Sequence, residues 1–209
     1  FKHLGNKVLT GPFAGMELDS KVVWNDGNLA GKLVGTYESE LHPAILRAIK
    51  RQPKVIGNIG CAEGYYAIGL GRLLPQTRIL AFDTNLEALR CCSSLAKRHS
   101  LQNISLWLVD DPKCYPDDWA LLFSQMDLVL MDCEGSELTY FHETVTPSLT
   151  KCDMIVECHD FMFRERADDC PIIISDILSE QFSVTHEIEK ITMQNNKEPI
   201  YPFLDFLTV

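Results

Sequence analysis

The side chains of this chain best equipped for chemistry stand just after short apolar runs. Five runs, Val55-Ile56, Ile79 to Phe82, Ile104 to Val109, Leu128 to Met131 and Met154 to Val156, each lead into polar or glycine-rich sequence. The first is followed by Asn58-Ile59-Gly60-Cys61-Ala62-Glu63-Gly64, a turn whose missing side chains let a ligand approach the backbone. Asp83 closes the second run about 20 residues beyond Gly64, the spacing at which a carboxylate reaches a ribose diol. Asp110 and Asp111 follow the third run. Asp132, Glu134, Gly135 and Glu137 follow the fourth, and Glu157-Cys158-His159-Asp160 end the fifth. Carboxylates with a histidine supply proton transfer near neutrality, or oxygen and nitrogen donors for a divalent cation. Asp132, Glu157 and His159 are the set that would hold such an ion, but spacing alone does not make them converge, and no metal is assigned. The plainer readings are an Asp132 that caps the next helix, Glu134 and Glu137 favouring a helix N-terminus, and a His159 that is an ordinary strand-end residue.

Parallel strands position groups in this way. The runs recur about every 25 residues with amphipathic stretches between them, as βα units do. They are apolar throughout, which suits a parallel sheet covered on both faces. After Gly64, Ala67, Leu70, Gly71 and Leu74 share a helical face that ends at Pro75. Thr84-Asn85-Leu86-Glu87 has capping-box spacing, and Leu86, Leu89, Ser93 and Ala96 form the face of a helix reaching about His99. A helix from about Pro171 to Glu180 precedes two β-prone segments, Phe182 to Ile191 and Phe203 to Val209, read as an antiparallel hairpin. Residues 1–53, with a hairpin around Met16 to Trp24 and a helix near Pro43 to Lys50, form a cap packed on a main domain of residues 54–209.

Composition narrows the function. The 209 residues are 46% apolar and 23% charged, enough for one full core. The 19 basic and 29 acidic residues give a net charge of −10, which opposes nucleic acid or anionic membrane as partners. No apolar run approaches the roughly 18 residues that span a bilayer. The chain starts at Phe1, which leaves a preceding targeting segment open. Eight cysteines, Cys61, Cys91, Cys92, Cys114, Cys133, Cys152, Cys158 and Cys170, show no C-x-x-C pair, so structural zinc is not expected, and a reducing, cytoplasmic setting is. Asn103-Ile104-Ser105 matches a glycosylation acceptor by chance, since Ile104 belongs to a strand.

The turn suits a nucleoside-type cofactor. It is not the G-x-G-x-x-G of a dinucleotide site, because Glu63 stands where pyrophosphate needs backbone room, and no Gly-Lys-Ser/Thr follows as in a P-loop. The sequence resembles class I S-adenosylmethionine-dependent methyltransferases and, within them, the FkbM-type family, which mostly methylates hydroxyl oxygens. The resemblance spans nearly the whole chain and rests on Val55 to Tyr66, on Leu80-Ala81-Phe82-Asp83, and above all on Met131-Asp132-Cys133-Glu134-Gly135-Ser136-Glu137-Leu138 with Ile155-Val156-Glu157-Cys158-His159. It implies a Rossmann-like α/β sheet of seven strands in the order 3-2-1-4-5-7-6. It also implies a Gly35-Thr36-Tyr37-Glu38 element over the cofactor. Carried over by position, the turn Gly60, Cys61, Ala62, Glu63 and Gly64 lines the methionine end, Asp83 with Thr84 beside it meets the ribose, and Asp110 or Asp111 lies near the adenine amine. Asn58 replaces the usual acid, so Glu63 or Glu38 is expected to face the cofactor's ammonium. Asp132, Glu134, Glu157 and His159 are the candidates for removing the acceptor's proton. The expected activity is O-methylation of a small-molecule or glycan acceptor. The alternatives are a cofactor-binding scaffold without turnover, a nicotinamide-dependent oxidoreductase, and a nucleic-acid methyltransferase. Oligomeric state has no signature in the sequence.

Overall fold

The computed structural model describes residues 6–19, 29–109, 116–160, 173–192 and 202–208. Five strands pair in parallel: β1 (Val55–Ile59), β2 (Arg78–Asp83), β3 (Ile104–Leu108), β4 (Leu128–Met131) and β5 (Asp153–Glu157). Two more, β6 (His186–Thr192) and β7 (Pro202–Thr208), form an antiparallel pair, and β7 also runs antiparallel to β5. The sheet order is β3-β2-β1-β4-β5-β7-β6. Ile59 sits between Phe82 and Met131 in register, so the glycine turn, Asp83 and Asp132 all leave the sheet at one edge. The order reverses between β1 and β4, the position at which open α/β sheets bind their ligands.

Successive residues of the central strands serve opposite cores. Ile56, Ile79, Ala81, Leu128, Leu130 and Ile155 pack under α3 (Tyr65–Leu73) and α4 (Leu86–Arg98). Leu80, Phe82, Val129, Met131, Met154 and Val156 pack under α5 (Pro116–Phe123), α6 (Glu137–Tyr140) and α7 (Ile174–Phe182). Both sets are apolar, so the central strands carry no polar alternation. The N-terminal elements, with α1 (Leu29–Val34) and α2 (His42–Arg51), join the first core through Val8, Phe13, Met16, Leu33, Leu41 and Ile45. A Cβ on Gly69 would come within 2.5 Å of the Phe13 ring, so α3 needs a bare backbone where the N-terminal segment crosses it.

Most of the hairpin expected around Met16 to Trp24 lies outside the described residues, and before it Lys7 bridges Glu17 around a turn held by Gly15 N donating to Val8 O. Local readings change in four places. The cap of α4 is Asn85, whose side chain accepts from Glu87 N and Ala88 N, because the chain turns helical one residue later than a Thr84 cap requires. The buried face of α4 is therefore Ala88, Leu89, Cys92 and Leu95, while Leu86 is 48% exposed. β3 is an edge strand with Trp107 and Leu108 about half exposed, so cover on both faces fails there. Phe182 closes α7 rather than opening a strand, and is fully buried.

Asn103 donates to three carbonyls, Gly71 O, Leu74 O and Thr77 O, which gives it a structural role at the end of α3. The described cysteines Cys61, Cys91, Cys92, Cys133, Cys152 and Cys158 are free thiols. No described helix is long and apolar enough to cross a membrane.

Candidate active site

The turn after β1 is built from left-handed backbone. Gly60, Ala62 and Gly64 have φ of 73°, 47° and 97°. Gly60 has no substitute, since a Cβ there would lie 1.6 Å from the Asp132 carbonyl oxygen. That closeness binds the turn to the end of β4. Asp83 fixes it from the other side: one carboxylate oxygen accepts Ala62 N at 2.8 Å and the other accepts Asn85 N at 2.7 Å. Asp83 remains half-buried, with lone pairs left for further donors, and Thr84 beside it is exposed. Cys61, Glu63 and Gly64 are buried. Asp110 and Asp111 lie outside the described residues. Asn58 is 1% exposed; its amide nitrogen faces Leu130 O at 3.5 Å and its oxygen meets no donor.

The N-terminal cap clamps this turn. Lys32 Nζ donates to Glu63 Oε1 at 2.6 Å in a buried pair, and stands 4.7 Å from the Tyr37 ring centroid. Glu63 thus spends one oxygen on Lys32, while its other, Oε2, is buried with no hydrogen-bond partner. Glu38, with φ of 44°, accepts from the Tyr66 hydroxyl. Tyr37, Tyr65 and Tyr66 pack edge-on or tilted with one another, and Tyr65 and Tyr66 also with Phe13. These ring contacts pack the tyrosines together and hold Glu38 within reach of Asp132 and Glu157. Burial, with the Asp132 charge adding, pushes the Glu38 carboxyl up to about 7, against bonds from Tyr37 and Tyr66 that pull it down.

Asp132, Glu134, Glu137, Glu157 and His159 meet at the same mouth. His159 is 3% exposed; its Nδ1 lies 2.5 Å from Glu137 Oε1, and its Nε2 lies 3.5 Å from Glu134 Oε2 and 3.8 Å from Asp132 Oδ1. Burial lowers the His159 pKa, but the Glu137 bond and the three carboxylates outweigh it and raise the imidazole above its ordinary value. Burial pushes Asp132 up to about 6, with His159 opposing. Glu157 is pushed up to about 10 by burial and by the Asp132 charge. Asp132 and Glu157 interact directly, and the Asp132 charge favours the proton on Glu157, so one proton serves both carboxyls near neutrality. Of the five described non-glycine residues with positive φ, three, Glu38, Ala62 and Glu134, stand at this mouth.

The four proton-transfer candidates are therefore together, but their roles divide. The metal set also changes: Asp132, Glu134 and His159 offer donor atoms within 4.8 Å of one another, with Glu134 in the place expected for Glu157. Glu137, read as a helix-end acid, does open α6 and is at the same time fully buried on His159. Its signal was a third acid in Asp132-x-Glu134-Gly135-x-Glu137, more than a four-residue α6 needs for its dipole. Lys32 had no signal, because its partner is 31 residues away.

No protein-family model matches the chain, and no curated protein sequence matches it. Solved structures do match in fold. The O-methyltransferase TomG from Streptomyces achromogenes, solved in complex with S-adenosylmethionine, is 16% identical over 88% of this chain and 85% of its own, with a TM-score of 0.61. The precorrin-6y C5,15-methyltransferase from Geobacter metallireducens is 15% identical over 80% of this chain and 89% of its own, with a TM-score of 0.55. The S-adenosylhomocysteine-bound methyltransferase PaMTH1 of Podospora anserina is 15% identical over 85% and 78%, with a TM-score of 0.55. At such identities the likeness is one of architecture, and the architecture is the Rossmann-like α/β fold of S-adenosylmethionine-dependent methyltransferases.

Proposed function

We propose that this protein is an S-adenosylmethionine-dependent methyltransferase acting on a hydroxyl of a small-molecule or glycan acceptor, as its FkbM-type resemblance suggests. One observation carries the reading: on a methyltransferase fold, the glycine turn with Asp83 and the Asp132, Glu157 and His159 cluster open at the same sheet edge. The residues present fit the cofactor. Ala62 and the glycines leave the turn without bulk, Asp83 keeps acceptor capacity for a diol, and the buried oxygen of Asn58 still lacks a donor. Glu38 is the nearby carboxyl that replaces the charge missing at Asn58.

When bound, the cofactor supplies a methyl group on a sulfonium, open to in-line displacement by oxygen. The chain's task is alignment and proton removal. The Asp132 and Glu157 pair holds one proton between two carboxyls and takes the hydroxyl proton. His159, gripped by Glu137, faces Asp132 and offsets the negative charge. The N-terminal cap, through Tyr37 and Glu38, covers the mouth against water.

Calorimetric titration with S-adenosylmethionine and S-adenosylhomocysteine tests the reading. Both are expected to bind, with at least a tenfold loss in Asp83→Ala and a smaller one in Asp83→Asn, which keeps an acceptor for the turn. Folded protein that takes up neither ligand overturns it. Binding without turnover on any hydroxylated acceptor favours the scaffold reading, for which Asn58 speaks.

A further inference from the structure

We infer that Asp132, Glu134 and His159 form a binding site for a divalent transition-metal cation, seated at the mouth of the crevice with Glu137 as the buried carboxylate that orients the histidine. The donor atoms are gathered: all three lie within 4.8 Å of one another, with His159 Nε2 at 3.5 Å from Glu134 Oε2 and 3.8 Å from Asp132 Oδ1, so small side-chain rotations bring them onto one ion. The imidazole is presented correctly. Glu137 accepts from Nδ1 at 2.5 Å, which fixes the tautomer that turns the Nε2 lone pair toward Asp132 and Glu134 once that nitrogen is deprotonated. This carboxylate, histidine and ion sequence is the usual second layer of a metal centre.

A separate observation concerns Asp132, whose side chain as a whole is 35% exposed. Asp132 Oδ1 is sealed from solvent and meets no donor, although it stands within 3.8 Å of His159 Nε2. A buried carboxylate oxygen left unsatisfied is costly, and an ion at this point removes the cost. Glu134 is held in left-handed backbone with φ of 51° and followed by Gly135 at 91°, a turn that sends an 82% exposed carboxylate back over the buried histidine.

The ligand types select the ion. A histidine with two carboxylates suits Mn²⁺, Co²⁺ or Zn²⁺, while Mg²⁺ and Ca²⁺ prefer oxygen donors alone. Three protein ligands leave further positions open toward the crevice, where a hydroxyl oxygen could enter and be acidified. The site stands on its own residues; its use in catalysis rests on the function proposed above.

Titration with Mn²⁺ alone, followed by calorimetry and by the loss of the free-ion electron paramagnetic signal, reads the site without cofactor or acceptor. One ion per chain is expected, bound at least tenfold more tightly than Mg²⁺. Glu134→Gln, an exposed change that leaves the core intact, should weaken Mn²⁺ binding tenfold or more. His159→Gln should do the same and bring Mn²⁺ and Mg²⁺ to similar affinities. No Mn²⁺ bound to folded wild type overturns the inference, and so does equal binding by wild type and Glu134→Gln. Failure here leaves binding of S-adenosylmethionine untouched, and failure there leaves the ion titration readable.

Discussion

At the scale of single residues, environment rather than residue type sets the work each acid does. Asp83 and Glu157 are both strand-end carboxylates, yet Asp83 is bound by two backbone amides and Glu157 is held against Asp132 with its carboxyl raised to about 10. Glu38 shows the consequence for stability. Its folded value of about 7 lies above the ordinary 4.5, so the folded state binds more protons between those limits, and its contribution is fully present below about 4.5 and lost as pH rises through about 7. Glu38→Gln keeps an acceptor for the Tyr66 hydroxyl and carries no charge. It should melt higher than wild type at pH 8 and lose much of the decline in melting temperature between pH 5 and pH 8. A variant that declines as steeply as wild type would refute the role of this carboxyl. Asp83 and the strand-end acids were legible from type and spacing, because such positions follow directly from the βα rhythm. The division of labour among them was not, because burial and pairing arise only when β4, β5 and the cap meet.

At the scale of elements, caps and bare turns do the positioning. Asn85 satisfies two amides at the start of α4, so Asn85→Ala should cost about 1 kcal/mol, while the exposed neighbour Thr84→Ala should stay within about 0.5 kcal/mol. Urea denaturation of the two variants separates a cap at Asn85 from one at Thr84. Gly60 and Gly15 offer a second comparison, since both have positive φ but only Gly60 is crowded by backbone. Gly15→Ala should cost about 1–2 kcal/mol, the left-handed strain alone. Gly60→Ala adds a collision with the Asp132 carbonyl and should cost more than about 3 kcal/mol, or shift β4 enough to abolish cofactor binding. Equal losses at the two sites would mean that the turn and β4 are not locked together. The strands themselves were readable because runs such as Leu128 to Met131 are apolar on both faces. The β3 edge was misread for the same reason: an edge strand with Trp107 exposed looks like a central one in sequence.

At the scale of the whole molecule, the N-terminal elements and the glycine turn after β1 are joined by a buried charge pair, Lys32 with Glu63. Removing one member of such a pair leaves the other buried and unpaired, which costs about 3–5 kcal/mol, whereas replacing both is far milder. Lys32→Met should therefore lose about 3–5 kcal/mol in urea denaturation, and adding Glu63→Gln should recover at least half of that loss. Additive losses would show that the two side chains act independently of each other. The sequence by itself determined the alternation of strand and helix, the glycine turn with Asp83, and the end of the sheet at which the strand-end acids stand, because each depends on residues within about one βα unit. The tertiary structure decided which groups work together: Lys32 on Glu63, Tyr66 on Glu38, Glu157 on Asp132, and Glu137 behind His159. These partners come from separate strand ends, helices and cap segments. Their distances are set by strand register and crossover packing, which no local pattern of residues encodes.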